Sequence, residues 1–253
     1  MTVNLLHSTP LFYVAHGMRM SHNNHDKSDT VNIKECGDCG SRNVNSITMM
    51  CNDCNSDRID TIKPIGPKDL ALIDRVGNKL KHASTLEPLQ YIFDIDGISR
   101  ACLQEIARHR HASLTVESTR YTLHRLRAEQ PFTEYTDFNN QEYLQDGYER
   151  ACKYLVMTEN EHVNRYSILA LDNLRDLLVA GISNDVAKYA LPEAYKVRLQ
   201  WTVNMRSLQN FLALRSAKDA LWEIRLLAAA IYQSLPHDHK FLFIDYMKDT
   251  TCV

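Results

Sequence analysis

Glycine is scarce in this 253-residue chain. It has eight glycines, and none form G-x-G-x-x-G or G-x-x-x-x-G-K. Any nucleotide phosphate it binds must therefore be held by arginine, hydroxyl and amide side chains and not by a glycine-rich loop. No stretch approaches 18 consecutive apolar residues, so no membrane span is expected. Met1 to Pro10 lacks a basic start followed by an apolar run, so no secretory signal is expected either. Long basic runs are also missing and the formal net charge is −2. A track for a nucleic-acid polymer is not indicated, whereas a local anion pocket is compatible with this charge. Without a signal, the seven cysteines are expected to stay reduced, which favours the cytoplasm. Hydrophobic content of 44% and charged content of 24% are ordinary for a globular chain. The length suits one large domain or one domain with an insertion.

Against these absences stands the block Arg108 to Thr122, R-H-R-H-A-S-L-T-V-E-S-T-R-Y-T. Arg108, His109 and Arg110 are followed by two hydroxyls, Ser113 and Ser118, and by Arg120. Arginine forks match phosphate and carboxylate geometry, and this is more anion-binding capacity than a solvated surface needs. Three adjacent residues cannot share one helical face. The triplet can therefore serve two ligands only at an element's end or in an extended segment.

Apolar spacing predicts an α+β fold, with helices packed on a small sheet. Leu70, Ile73, Val76, Leu80 and Ala83 mark one face of a helix beginning after Pro67. Leu89 to Asp96 and Tyr195 to Asn204 alternate and read as strands. Ile98 to Ala107 is helical, with Ser99 as a cap. Glu142 to Ala180 reads as a long helical region, in two helices or one with a break. Asn184 to Ala190 is a short helix ended by Leu191-Pro192, and Arg206 to Leu235 is helical in two pieces. Residues 123 to 140 read as loop, the first thirty residues hold a short apolar stretch at Leu11 to Val14, and no internal repeat is visible.

Residues 31–66 hold Cys36-x-x-Cys39 and Cys51-x-x-Cys54. Two such knuckles place four thiolates tetrahedrally around one zinc, and a segment this short needs a staple to fold. The alternative is a loop with reduced or disulfide-linked cysteines. With all four positions filled by cysteine, a zinc there would be structural and closed. Lys34, Arg42, Arg58 and Lys63 face five acidic residues in this segment, before the thiolates add further negative charge. It is a poor nucleic-acid binder, and a structural or subunit-contact role is expected.

The spacing R-H-R-x-x-S-x-x-x-x-S-x-R resembles the signature of flavin-dependent thymidylate synthases. Trp201 to Arg215, W-T-V-N-M-R-S-L-Q-N-F-L-A-L-R, resembles that family's second block, and His82 to Glu87 resembles its H-x-T-P-x-E box. The likeness spans about residues 67 to 235 and the first twenty-odd residues. It implies a small, mainly antiparallel sheet with several long helices, formed by residues 1–30 and 67–253, with 31–66 as a zinc-ribbon-like insertion. It implies conversion of dUMP to dTMP, with methylenetetrahydrofolate as carbon donor, FAD as hydride carrier and NADPH as reductant. It also implies a homotetramer whose active sites are shared between subunits.

By the same resemblance Arg215 activates the pyrimidine electrostatically. Arg108, Ser118, Arg120 and Arg215 contact dUMP, and Glu105, Glu117 and Lys188 stand at or beside dUMP-contacting positions. His82, Ser84, Arg108, His109, Arg110, Asn204, Arg206 and Asn210 contact FAD. On the residues alone, Arg215 reads as a surface arginine ending a helix, His82 as a helix C-terminal charge and Asn204 as a strand-end cap. Ser118 has no general base placed beside it by the sequence and reads as a binding hydroxyl. Cys102, Cys152 and Cys252 lie outside the motifs, so no cysteine nucleophile is expected; the first two, in helical sequence, are expected to pack in the core. The chain departs from the family pattern at Thr115-Val116, which replaces Asn-Glu, at Lys188 for arginine, at Pro88 for histidine and at Glu105 for glutamine. A non-catalytic zinc-ribbon binding module would explain the cysteines and leave both arginine motifs unexplained.

Overall fold

The computed structural model describes residues 1–134, 142–143 and 146–248; the Asn139-Asn140 pair and Cys252 lie outside them. The chain opens with β1 (Thr2–Ser8) and α1 (Phe12–Met20). The cysteine segment lies between β2 (Ile33–Cys36) and β3 (Ile59–Ile62), which pair antiparallel. Then follow α2 (Pro67–Ile73), β4 (Gln90–Ser99), α3 (Arg100–Ala107), β5 (Ala112–Val116), α4 (Thr119–Thr122), β6 (Thr133–Glu134) and β7 (Glu142–Tyr143). The chain continues through α5 (Gly147–Ala151), α6 (Glu161–Val179), α7 (Asn184–Ala187), β8 (Lys196–Asn204), α8 (Met205–Arg215) and α9 (Trp222–Ser234).

Side-chain alternation builds the main sheet, which runs β1-β4-β8-β5 with every neighbour antiparallel. Tyr91, Phe93 and Ile95 of β4 and Val197, Leu199, Trp201 and Val203 of β8 are buried on one face. Asp94, Asp96, Arg198 and Gln200 alternate onto the other, where Arg198 bridges to both oxygens of Asp94 at 3.0 and 2.6 Å. Residues of α1, α2, α3, α8 and α9 join the inner face in one core, with Phe211, Leu208, Ile224 and Leu227 fully buried. The β4–β8 register shifts between Asp96 and Ile98, where Gly97 has φ +79, a backbone state that favours glycine. A second core gathers Leu123, Leu126, Phe132 and Leu155 around Ile168, Leu171, Leu174 and Leu178 of α6. There the buried Asp172 accepts the N–H groups of Phe132 and Thr133, both at 3.1 Å.

The α+β class is as expected; β8 matches within one residue, and β4 starts within one residue but runs three further, to Ser99. Several local expectations are corrected or refined. The first residues form a full edge strand, β1, which the reading of Met1–Pro10 did not foresee. The helix after Pro67 keeps α geometry only to Ile73, passes into a π turn over Asp74–Lys79 and leaves Leu80 exposed. The described part of residues 142–180 does hold the two helices expected, but the region opens on β7 and is not helical between Cys152 and Asn160, which caps α6 by accepting the N–H groups of His162 and Val163. Residues 123–128, expected as loop, form a 3-10 helix.

The junction of β4 and α3 aims the cationic block. Ser99 caps α3 through an N–H bond from Cys102 at 3.0 Å. Glu223 of α9, itself buried, accepts both the Ser99 hydroxyl and the Ser99 N–H, the latter at 2.7 Å. The carboxylate thus fixes where α3 starts and also faces the positive end of that helix. Replacing Glu223 by alanine orphans a buried N–H and a buried hydroxyl, so Glu223→Ala is expected to lower stability by about 2–3 kcal/mol. Urea unfolding of the two proteins measures this; a difference below about 0.5 kcal/mol is what an ordinary surface change gives and would rule the clamp out.

Candidate functional site

The R-H-R triplet occupies the turn between α3 and β5, the element's end that three diverging side chains require. The N–H of His109 closes the helix on the carbonyl of Ile106 at 2.9 Å, and Ala112 then pairs with Val203 of β8. His109 turns inward and meets Phe211 edge-on at 5.0 Å, while Arg108 and Arg110 stay exposed. Among the described residues neither arginine side chain makes a hydrogen bond or ion pair.

Helix α8 forms the opposite wall. Asn204 caps it, its side-chain oxygen accepting from the N–H of Ser207 at 2.8 Å. Ser207, Asn210, Leu214 and Arg215 then recur at helical spacing and face the triplet across a cleft of about 490 Å³. At the last turn Arg215 donates from Nε to His109 Nε2 at 2.9 Å and from Nη1 to Glu105 Oε2 at 2.5 Å. It also donates from Nη2 to the Glu105 carbonyl at 3.3 Å. Because Nε2 accepts here, His109 is neutral with its proton on Nδ1. Burial, helped by the Arg215 charge and opposed by Glu105, pushes its pKa down to about 4. Glu105 and Arg215 are a paired charge at the mouth of the cleft, and Arg108 and Arg110 are its unpaired cations.

The other block residues lie elsewhere. β5 carries the chain away from the triplet for five residues, about 16 Å at strand rise. Ser113 and Thr115 sit on its exposed side. Beyond its far end Glu117 pairs with Arg125 at 3.2 Å, and Ser118 precedes α4. Arg120 pairs with Asp185 at 2.6 Å, and its carbonyl accepts from Asn184 at 2.7 Å. This joins α4 to α7, after which Lys188 follows with no side-chain partner among the described residues. Ser118, Arg120 and Lys188 form one group, and a single chain does not bring it into the cleft of Arg215.

His82 and Ser84 occupy a third place. His82 follows Lys81, whose φ is +55, and lines a pocket of about 250 Å³ with Ser21, His22, Asn24, Arg75 and Thr85. Arg206 pairs with Glu87 at 2.8 Å and ties the start of α8 to this turn. The polar run after α1 carries no motif, so Ser21, His22 and Asn24 were missed as pocket residues. Their one signal is density of hydrogen-bonding side chains. Asn24 Oδ1 is buried without a partner, an acceptor left open.

Cys102 and Cys152 lie outside the Arg215 cleft. Burial, reinforced by Glu223 and Glu105, pushes the Cys102 thiol well up and keeps it protonated. Cys152 follows α5 and lines none of these clefts.

The four cysteines of the insertion do converge. Their sulfurs all lie within 4.8 Å of one another, with Cys36–Cys54 and Cys39–Cys51 each at 3.5 Å. A tetrahedron with bonds of roughly 2.3 Å has sulfurs about 3.8 Å apart, so the set fits zinc. Backbone N–H groups of Cys39 and Asp38 hold the Cys36 thiol down at about 6, the thiolate-favouring turn that a metal knuckle provides. The segment is also an internal repeat, contrary to the sequence reading. Cys36-Gly37-Asp38-Cys39-Gly40-Ser41 matches Cys51-Asn52-Asp53-Cys54-Asn55-Ser56. The N–H of Gly40 reaches Cys36 O at 2.8 Å and that of Asn55 reaches Cys51 O at 2.9 Å, with φ +70 and +58 at these equivalent residues. Each knuckle's serine donates to the other's aspartate, Ser41 to Asp53 and Ser56 to Asp38.

With this geometry in view, the family model described as thymidylate synthase complementing protein matches residues 5–237. A flavin-dependent thymidylate synthase of Campylobacter jejuni (strain RM1221) is 48% identical over 243 residues, 96% of each chain. One from Wolinella succinogenes is 60% identical over 178 residues, 70% of this chain and 82% of that relative. The crystal structure of thymidylate synthase X from Helicobacter pylori with FAD and dUMP superposes with a TM-score of 0.77 at 41% identity, covering 98% of this chain and 100% of that one. Matched nearly end to end in both sequence and fold, the chain belongs to the flavin-dependent thymidylate synthases.

Proposed function

We propose that this enzyme methylates dUMP to dTMP with 5,10-methylenetetrahydrofolate as carbon donor, FAD as hydride carrier and NADPH as reductant. The observation that carries the reading is Arg215: a guanidinium clamped by Glu105 and His109 at the edge of a cleft that also holds two unpaired arginines. Bound FAD, once reduced, supplies the hydride. Arg108, His109, Arg110, Asn204, Arg206 and Asn210 hold it from the α8 side, and His82 and Ser84 from the turn before β4. A cleft of this size with free cationic donors and no glycine loop suits a ligand with phosphates and a broad ring.

Uracil C5 is a weak nucleophile until negative charge on the ring at N3 and O4 is stabilised. Arg215 does this from a fixed position, and a preorganised donor needs no reorientation during reaction. His109 stays neutral, so it steers Arg215 without adding a second charge. Ser118, Arg120 and Lys188 hold the dUMP phosphate end, while Glu105, Glu117 and Arg108 stand beside the rest of the nucleotide. Arg120 leaves an exposed pair with Asp185 to do so, at a cost of no more than about 1 kcal/mol. The length of β5 supports a site assembled from two copies in a homotetramer, the triplet of one beside Ser118 and Arg120 of another. Residues 1–30 and 67–253 form the catalytic body, in the cytoplasm, and 31–66 carry a structural zinc. No helix among the described residues is long and apolar enough to cross a membrane.

An anaerobic absorbance experiment tests the reading. The flavin band of the reconstituted protein is expected to bleach with NADPH at a rate that responds to dUMP, and failure to bind FAD in excess would sink it. Arg215→Ala is expected to lower dTMP formation about 10²–10³-fold, the range for loss of one preorganised donor, with the flavin band retained. Product chromatography reads this, and a loss under threefold removes Arg215 from the chemistry. Elemental analysis is expected to give one zinc per chain, and Cys51→Ser is expected to abolish it while FAD binding survives. Loss of flavin together with zinc would make the ribbon part of the catalytic body.

A further inference from the structure

A separate pocket lies on the opposite side of α1 from His82, where the chain leaves the ribbon. It holds about 220 Å³ and is lined by Phe12, His16, Arg19, His25, Lys63 and Asp69 among others. At its floor Arg19, 6% exposed, donates from Nε to Asp69 Oδ1 at 2.5 Å. Asp69 Oδ2 is already taken by the hydroxyls of Ser28 at 2.5 Å and Thr30 at 2.6 Å. Burial opposes ionisation of Asp69, but these hydrogen bonds and Arg19 hold its carboxyl below the usual range, so it is charged and fully engaged.

What remains is an excess of donors. Among the described residues, the two terminal nitrogens of Arg19 have no hydrogen-bond partner, and neither is sealed from the pocket, since the only buried arginine atoms lacking a partner are Nε of Arg100 and Arg225. Lys63 has no carboxylate partner and rests its ammonium over the Phe12 ring at 4.6 Å. The His16 and His25 rings stand 5.0 Å apart on the same wall. A guanidinium more than nine-tenths buried, one of its edges neutralised and the other unpartnered, in a pocket also lined by a lysine and two imidazoles, is the donor set of an anion site. Its volume falls below the roughly 300–1,000 Å³ of sites for drug-sized ligands.

We propose that this pocket binds a free tetrahedral oxyanion of the size and charge of inorganic phosphate, held by the open edge of Arg19 and by Lys63, with His16 and His25 as further donors. It is distinct from the Arg215 cleft and from the Ser118–Arg120 group. Lys63 directly follows β3, so a bound anion fastens the root of the cysteine ribbon to α1 and stabilises the assembled protein by mass action.

The test uses holoprotein saturated with FAD and dUMP, so that the nucleotide phosphate positions are filled, at constant ionic strength set with chloride. Inorganic phosphate is titrated while thermal unfolding and the ³¹P line width are followed. The expected result is a saturable rise in unfolding temperature and a broadened phosphate signal, with the apparent Kd raised at least tenfold in a His16→Gln/Lys63→Gln variant. Arg19 is left intact because its pairing with Asp69 supports the fold. The flavin band of both proteins reports separately on the catalytic reading. Phosphate that gives no saturable shift, or an equal shift in the variant, overturns the proposal.

Discussion

The placement of one buried carboxylate governs the geometry of the cleft. Glu223 reaches from α9 to both the N–H and the hydroxyl of Ser99, and Ser99 caps α3. The strand-to-helix junction is thereby pinned to a helix remote in sequence. Eight residues later α3 ends at the cationic turn, with Glu105 on its last full turn. Were the start of α3 to shift by one residue, Glu105 and His109 would rotate by about 100° around its axis and leave Arg215 unclamped. The electrostatics of the site therefore rest on a hydrogen-bonded corner that touches no ligand.

Within the cleft the charges are divided by partner. Arg215 is paired, and its direction is set by Glu105 and by a histidine kept neutral through burial. Arg108 and Arg110 are unpaired and exposed. A paired guanidinium makes a rigid, oriented donor for a ring, while free guanidiniums suit a mobile phosphate chain. At Glu105 a carboxylate clamps Arg215 more firmly than an amide would.

Much of this was readable from the residues. The alternation of β4 and β8, the Ser99 cap, the cysteine knuckles and the placement of R-H-R at an element's end follow from local rules. β1 was hidden because its ladder slips between Leu5 and His7, which places Leu6 outward and breaks the period of two. The π turn over 74–79 was hidden because its apolar spacing still resembles a helix. The ribbon's repeat was hidden because it is carried by aspartate and serine bonds across the two knuckles, and only Cys-x-Asp-Cys-x-Ser survives in the text. The motif residues could be named from the sequence, but their division among three places could not, since motif order carries no distance.

β5 has a consequence of its own. Its ladder to β8 locks the interval between Arg110 and Ser118, so the strand acts as a gauge block between the cationic turn and the Ser118–Arg120 group. A gauge of this kind tolerates exchange of its outward side chains, as Ser113 and Thr115 are exposed, but not a change of length. Removing a single residue would turn Leu114 toward solvent, push a polar neighbour under Trp201, and shorten the gauge by one strand step. Sequence drift along this strand is thus free in kind and fixed in count.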